Sequence, residues 1–383
     1  MGRRKKSSTT HDMEVDQSEA TSSGAEALYT DDDTLYLEEE TVTNTYDREY
    51  ESLDIDAYTE KIKVEIINEI DEHVNNKPVK GLNLEFDLIH VDAPIANALR
   101  RILIAEVPTM AIEKVYLYQN TTCLQDEVLC HRLGLLPIYA DPNKFKFPSK
   151  PFVPANEEGV DPDEEPAGNP EENLIFKVQV KCTKKKNPPE NSTDPTALYE
   201  NAVVYTDAFE WIPLGDQINE FGRDPPRMVH KDIIVVKMRP GHELEASCHC
   251  VKGIGRDHAK FSPVATASYR LLPMIKLKKN ITGEQAERLQ KCFSDGVIAL
   301  YEEKGTVVAK VADARKDTCS RNVFRFDDLK ELVEMKRKKD HFIFSVESTG
   351  AMKSHELVVE ACHVMQKKIE TLKEALKAKL GVH

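Results

Sequence analysis

A change of period between residues 82 and 103 constrains this chain more than any other feature. Leu82, Leu84, Phe86 and Leu88 alternate with Asn83, Glu85 and Asp87, the two-residue period of a half-buried strand, and Ile62, Val64 and Ile66 alternate with charged residues in the same way. Then the pattern switches. In DAPIANALRRILIAEVP (92–108), Ile95, Leu99, Ile102 and Leu103 recur at helical spacing; Asp92 stands where a cap is expected and Pro94 suits the first turn. Two strands feeding an amphipathic helix require a sheet with a helix laid on it. Arg100 and Arg101 fall toward the edges of the apolar stripe, and on spacing alone such a pair is more often solvated than engaged. DEVLCHRLGLLPI (126–138) predicts a second helix that ends in a glycine turn. Neither segment supplies a nucleophile with a base, a phosphate-cradling loop or a metal cage. Both mix apolar faces with fixed cations, as protein contact surfaces do.

The end of the chain carries a second constraint. From Ser354, a predicted cap, Ala361, Met365, Ile369, Leu372, Leu376 and Leu380 form one apolar line, with Lys367, Lys368, Glu370, Lys373 and Glu374 turned outward. Something must cover that line. The chain's own sheet and a partner serve equally well for its first half, whereas a helix from a partner is the better cover for the lysine-rich second half.

Between these landmarks the middle of the chain is β-rich. Strands are predicted at 111–118, 174–182, 203–212, 232–238 and 243–251, mostly with period two, followed by strand character at 264–277, a helix from Thr282 to Phe293, and strands near 306–312 and 341–347. Residues 12–56 are acidic and rich in Ser and Thr, and are expected to form a disordered arm. Its leading Arg3-Arg4-Lys5-Lys6 is more often a solvated cluster than a nuclear import signal. The stretches 148–173 and 184–195 are expected to be surface loops. The net charge of −14 disfavours a general DNA-coating role. No apolar run approaches the roughly 20 residues of a membrane span, and MGRRKKSSTTHD lacks the core of a signal peptide, so an intracellular, soluble protein with reduced thiols is expected.

Several residues invite a chemical reading. Cys248-His249-Cys250 places two thiols on one side of a strand and the imidazole on the other, so one metal is poorly reached by all three and buried thiols are favoured. His131 beside Arg132, and His258 beside Lys260, have no paired carboxylate or nucleophile in a recognisable motif, which favours structural or interface use. GIGRDHAK lacks the spacing of a phosphate-binding loop. No cofactor and no metal are expected.

NALRRILIAEVP, HRLGLLPI, GIGRDHAKFSPVATASYRLLP (253–273), DARKDTCSRNVFRF (313–326) and HFIFSVESTGAM (341–352), in this order, resemble the α-like subunits of DNA-directed RNA polymerases across roughly residues 60–380. Among the branches the likeness is greatest to the larger α-like subunits shared by eukaryotic polymerases I and III. The resemblance implies an α+β fold. A discontinuous α-type dimerisation domain, an antiparallel sheet with helices in two parts at 58–140 and 258–383, is interrupted by an inserted β-rich domain at 141–257 and preceded by the arm at 1–57.

It implies a non-catalytic assembly role in the nucleus and nucleolus, with DNA met only through the complex and no membrane. The implied partners are a smaller α-like subunit in a heterodimer, the second-largest subunits of polymerases I and III, and a small zinc-containing subunit. Arg100 and Arg101 become the leading contacts to the second-largest subunit, because a guanidinium holds carboxylates or carbonyls bidentately. Asn97 and Leu99 belong to the same helix and are expected at the interface, with Asn97 fixing its turn against the partner. His131, Arg132 and Gly134 mark the second contact segment, Gly134 permitting the reversal before Pro137. Lys260 is expected to face the large subunit, and Ala361, Met365, Ile369 and Leu372 to meet the smaller one. Between residues 139 and 247 only Cys182 is present, too few for the zinc loop of the equivalent polymerase II subunit, which is the nearer rival reading. The farther rival is a free-standing metal-dependent enzyme using Cys248 and Cys250.

Overall fold

The period change at residue 90 is where strand gives way to helix. The computed structural model describes residues 33–45, 54–74, 77–149, 168–187, 189, 192–222, 224–303 and 305–381. The import-signal reading of residues 3–6, most of the acidic arm and the centre of the 148–173 loop lie outside these residues. Two compact units divide the chain, one of 49–272 with 340–383 and one of 1–48 with 273–339.

In the larger unit, strands Lys63–Val74 and Lys77–Ile89 pair antiparallel, and the second also pairs with the C-terminal part of Val333–Ser348, from Asn83 opposite Glu347 to Ile89 opposite His341. The alternation holds, and its inward residues meet: Phe86 stacks on Phe344 at 5.1 Å, and Tyr269 stands 5.3 Å from both Phe342 and Phe344. Helices Ala93–Ala105 and Ser354–Leu380 cover this face, burying Ala96, Leu99, Leu103, Leu357 and Ala361 against Leu84, Phe86, Phe344 and Val346. Each such Leu or Phe contributes about 1.5–3 kcal/mol on leaving water.

A second sheet of the same unit runs in the order Glu210–Ile212, Asn173–Lys181, Glu243–Ile254, Pro108–Asn120, all antiparallel. Helix Asp126–Gly134 packs Leu129 and Leu133 into its core with Ile112, Phe176 and Cys248. The strand predicted at 203–212 is two short ones, Val203–Tyr205 and Glu210–Ile212, parted by a 3-10 turn at Thr206–Ala208. The turn is fixed by Thr206, buried and donating its hydroxyl to the His230 carbonyl.

The smaller unit is built on helix Glu284–Cys292 and the hairpin Ile298–Glu303 with Thr306–Val311, around Leu289, Phe293, Val297, Phe324 and Met335. It corrects one expectation. Residues 33–45, assigned to the disordered arm, are ordered: Thr34–Leu37 pairs with Lys338–Met335 and Leu37 is buried in the core. The reason is local, since TLYL is a short β-prone run whose neighbours are acids that average it away. Those acids are used in turn, because Glu39 pairs with Lys330 and its carbonyl takes a hydrogen bond from Arg321.

Two helix starts also differ from expectation. Lys353 rather than Ser354 caps the terminal helix, its N–H donating to Glu356 Oε2, while Ser354 is buried and donates to the Gly81 carbonyl at 2.9 Å. Asp92 does cap the arginine helix, though without a side-chain hydrogen bond, and Ile95 of the predicted stripe is exposed while Ala96 takes its buried place.

Candidate functional site

The terminal helix is two surfaces end to end. Leu357 and Ala361 are fully buried and Met365 is half-buried, but Ile369, Leu372, Leu376 and Leu380 are 58%, 61%, 51% and 72% exposed. Four large apolar side chains on one helix face are left in water by the described residues. At the border between the two surfaces an ion pair ties the helix to its own unit, Lys368 Nζ to Glu106 Oε1 at 2.7 Å. Val64 and Ile66 are a second uncovered set. They stand opposite Leu88 and Phe86 on the strand Lys63–Val74, so they extend the inner face of the sheet, yet are 61% and 70% exposed. The alternation named these residues; nothing in it says that their face goes uncovered.

The arginine helix divides its candidates. Leu99 is buried in the chain's own core, and Asn97 accepts from Arg100 Nε and Nη2 at 3.2 and 2.9 Å. Asn97 therefore orients Arg100. Arg101 is exposed.

The glycine-turn segment is more occupied than expected. Arg132 donates to the Ile234 carbonyl at 2.8 Å, and His131 is exposed. Gly134 ends its helix without a left-handed backbone, since it is absent from the positive-φ residues and Leu135 after it is right-handed; the expected glycine reversal is corrected. Leu135 and Val128 are 51% and 46% exposed, and a shallow groove lies between Leu135 and Ile234. Lys260 is also corrected. Its side chain is largely buried, donates to the Ile112 carbonyl at 2.8 Å and pairs with Glu113, so it ties the fold internally. His258 accepts from the Lys260 N–H and holds that turn.

The tempting chemistry is absorbed by packing. Burial pushes the Cys248 thiol up to about 12 and Cys250 well above its ordinary value, away from the thiolate that a metal or a nucleophile requires. His249 faces the other way, edge-on to Tyr116 at 4.8 Å. The glycines of GIGRDHAK serve close approach: a methyl on Gly253 would meet the Phe261 ring at 2.7 Å and one on Gly255 the Ile104 carbonyl oxygen at 2.3 Å. That turn joins the strand to the end of the arginine helix, where Arg256 N–H donates to the Ala105 carbonyl. One pairing escaped the sequence entirely: His341 Nε2 lies 2.9 Å from Asp87 Oδ2, both buried, across neighbouring strands.

An uncovered helix face on a sheet-and-helix scaffold, with fixed cations beside it and the Cys248 and Cys250 thiols buried, is the surface of a subunit in an assembly. Residues 85–369 match the family model of the RNA polymerase Rpb3/Rpb11 dimerisation domain. The chain is 50% identical over 295 residues to the mouse (Mus musculus) DNA-directed RNA polymerases I and III subunit RPAC1, covering 77% of this chain and 82% of that protein. It is 43% identical over 337 residues to the Saccharomyces cerevisiae protein of the same name, covering 88% and 96%. Against the Dictyostelium discoideum DNA-directed RNA polymerase II subunit rpb3 it is 30% identical over 299 residues, covering 76% and 90%. The chain belongs to the α-like subunit family of DNA-directed RNA polymerases.

Proposed function

We propose that the chain is the non-catalytic assembly subunit shared by RNA polymerases I and III, working in the nucleus and nucleolus. It heterodimerises with a smaller α-like subunit, and the pair forms the platform on which the second-largest subunit of either polymerase is built. The observation that carries this is the uncovered line Ile369, Leu372, Leu376 and Leu380 in a chain of a dimerisation-domain family. Burying that line against a partner helix removes four large side chains from water, an energy the isolated chain leaves unclaimed. The higher identity to polymerase I and III subunits than to the polymerase II subunit favours the shared branch.

In this reading residues 58–140 and 258–383 act as the two parts of the dimerisation domain and 141–257 as the inserted β-rich domain. Arg101, with Arg100 oriented by Asn97, meets the second-largest subunit. His131, Val128 and Leu135 offer a separate surface, suited to another subunit such as the small zinc-containing one. DNA is met only through the complex. Purification of the tagged chain from nuclear extract, with mass spectrometry of what accompanies it, tests the reading. Recovery of a smaller α-like protein with the large subunits of both polymerases I and III is expected; recovery of polymerase II subunits alone would overturn it.

A further inference from the structure

The uncovered line on the terminal helix has a border of one sign. Successive helical residues advance by about 100°, so Lys373 and Lys377 fall along one edge of the line through Ile369, Leu372, Leu376 and Leu380, and Lys368 and Lys379 along the other. Glu370 and Glu374 lie further round, toward the back. Lys373 and Lys377 line the same surface groove as the four apolar side chains. Lys368 is held by Glu106, while Lys373, Lys377 and Lys379 form no ion pair among the described residues. From Gln366 to Leu380 there are five lysines against two glutamates, a net charge of +3 in a chain of net −14.

Resting on the heterodimer reading, we propose that these lysines select the partner: the helix that covers this face carries carboxylates along both edges of its own apolar line, and a second copy of this chain is refused. Two copies would set lysine rows beside lysine rows and bring two strongly acidic bodies together, so like charges would meet at both scales. An acid-bordered helix meets the opposite field at the helix while burying the same apolar area. Flanking positions of this kind set partner choice in paired helices, whereas the apolar line sets strength. The device explains how one face can be apolar enough to require a cover without the chain covering it with itself.

The test uses the full chain and the purified smaller α-like subunit. Lys373→Glu/Lys377→Glu/Lys379→Glu and its Gln counterpart are titrated with that partner at low and high salt, and sedimentation reports self-association. Because the three lysines are exposed and unpaired, unchanged thermal unfolding is expected for both variants. The Glu variant should lose about tenfold or more in affinity at low salt, the Gln variant less, and the difference should shrink as salt screens it. Equal affinity of all three proteins, or loss that does not respond to salt, would overturn the inference, as would self-association of the native chain as tight as its binding to the partner. Absence of any binding by the native chain would instead defeat the heterodimer reading beneath it.

Discussion

The two halves of the terminal helix were written with the same apolar period and meet opposite fates. Leu357 and Ala361 vanish into a core shared with Leu99, Phe86 and Phe344, while Ile369, Leu372, Leu376 and Leu380 stand in water. The difference teaches that periodicity specifies that a face will be buried, not by whom. The cations divide along the same line. Arg132 and Lys260 donate to backbone carbonyls of their own chain, whereas Arg101 is exposed and Lys373, Lys377 and Lys379 form no ion pair among the described residues.

The contrast can be broken at several points. Leu357→Ala strikes the covered half, and because the side chain is fully buried in a sheet-and-helix core the isolated chain should lose about 2–5 kcal/mol, read as a fall in denaturant midpoint. A neutral result would mean that this half is as loosely held as the other. Lys260→Ala removes a buried cation from the Ile112 carbonyl and Glu113, and should cost about 1–3 kcal/mol in the same assay while leaving partner binding intact. If it instead weakened binding to the second-largest subunit without destabilising the chain, Lys260 would belong among the available cations. Arg101→Glu should reverse that pattern, with unfolding unchanged and recruitment of the second-largest subunit by the heterodimer reduced about tenfold; loss of the heterodimer itself would place Arg101 on the other interface. Thiol labelling gives the smallest effect. Cys248 in the folded chain is raised from 9.0 to about 12, so the fold holds its proton more tightly than the unfolded chain does. That contribution is complete below pH 9 and is lost as pH rises toward 12. At pH 8 exposed Cys123 should therefore alkylate rapidly while Cys248 and Cys250 do so only on unfolding, and fast labelling of either would reopen the question of reactive thiols.

Much of the architecture was legible because it rests on period and punctuation. The strand-to-helix switch, the β-rich middle and the long terminal helix follow from residues that must share a face. What escaped depends on contacts distant in sequence or on local backbone that residue type alone does not fix. Ser354 looks like a cap until Gly81, far away in the chain, supplies the carbonyl it donates to. Gly134 looks like a turn residue, but its neighbour Leu135 closes the helix with ordinary right-handed backbone. Thr34–Leu37 is too short to register against its acidic surroundings, and only Lys338–Met335 beside it makes it a strand. For the interface, the stripe identified Ile369 and Leu372, but their exposure and the lysine border along both edges emerge only when the core has been counted out.

The most direct measurement is a pair of experiments on one variant, Leu372→Glu/Leu376→Glu in the full chain: titration with the purified smaller α-like subunit, and thermal unfolding of the chain alone. The account predicts at least about a hundredfold loss of partner affinity, as expected when the centre of an apolar interface is charged, with no change in the unfolding temperature. Undiminished binding, or a chain destabilised as severely as by Leu357→Ala, would contradict it, because the distal half of the helix would then be either unused or already covered.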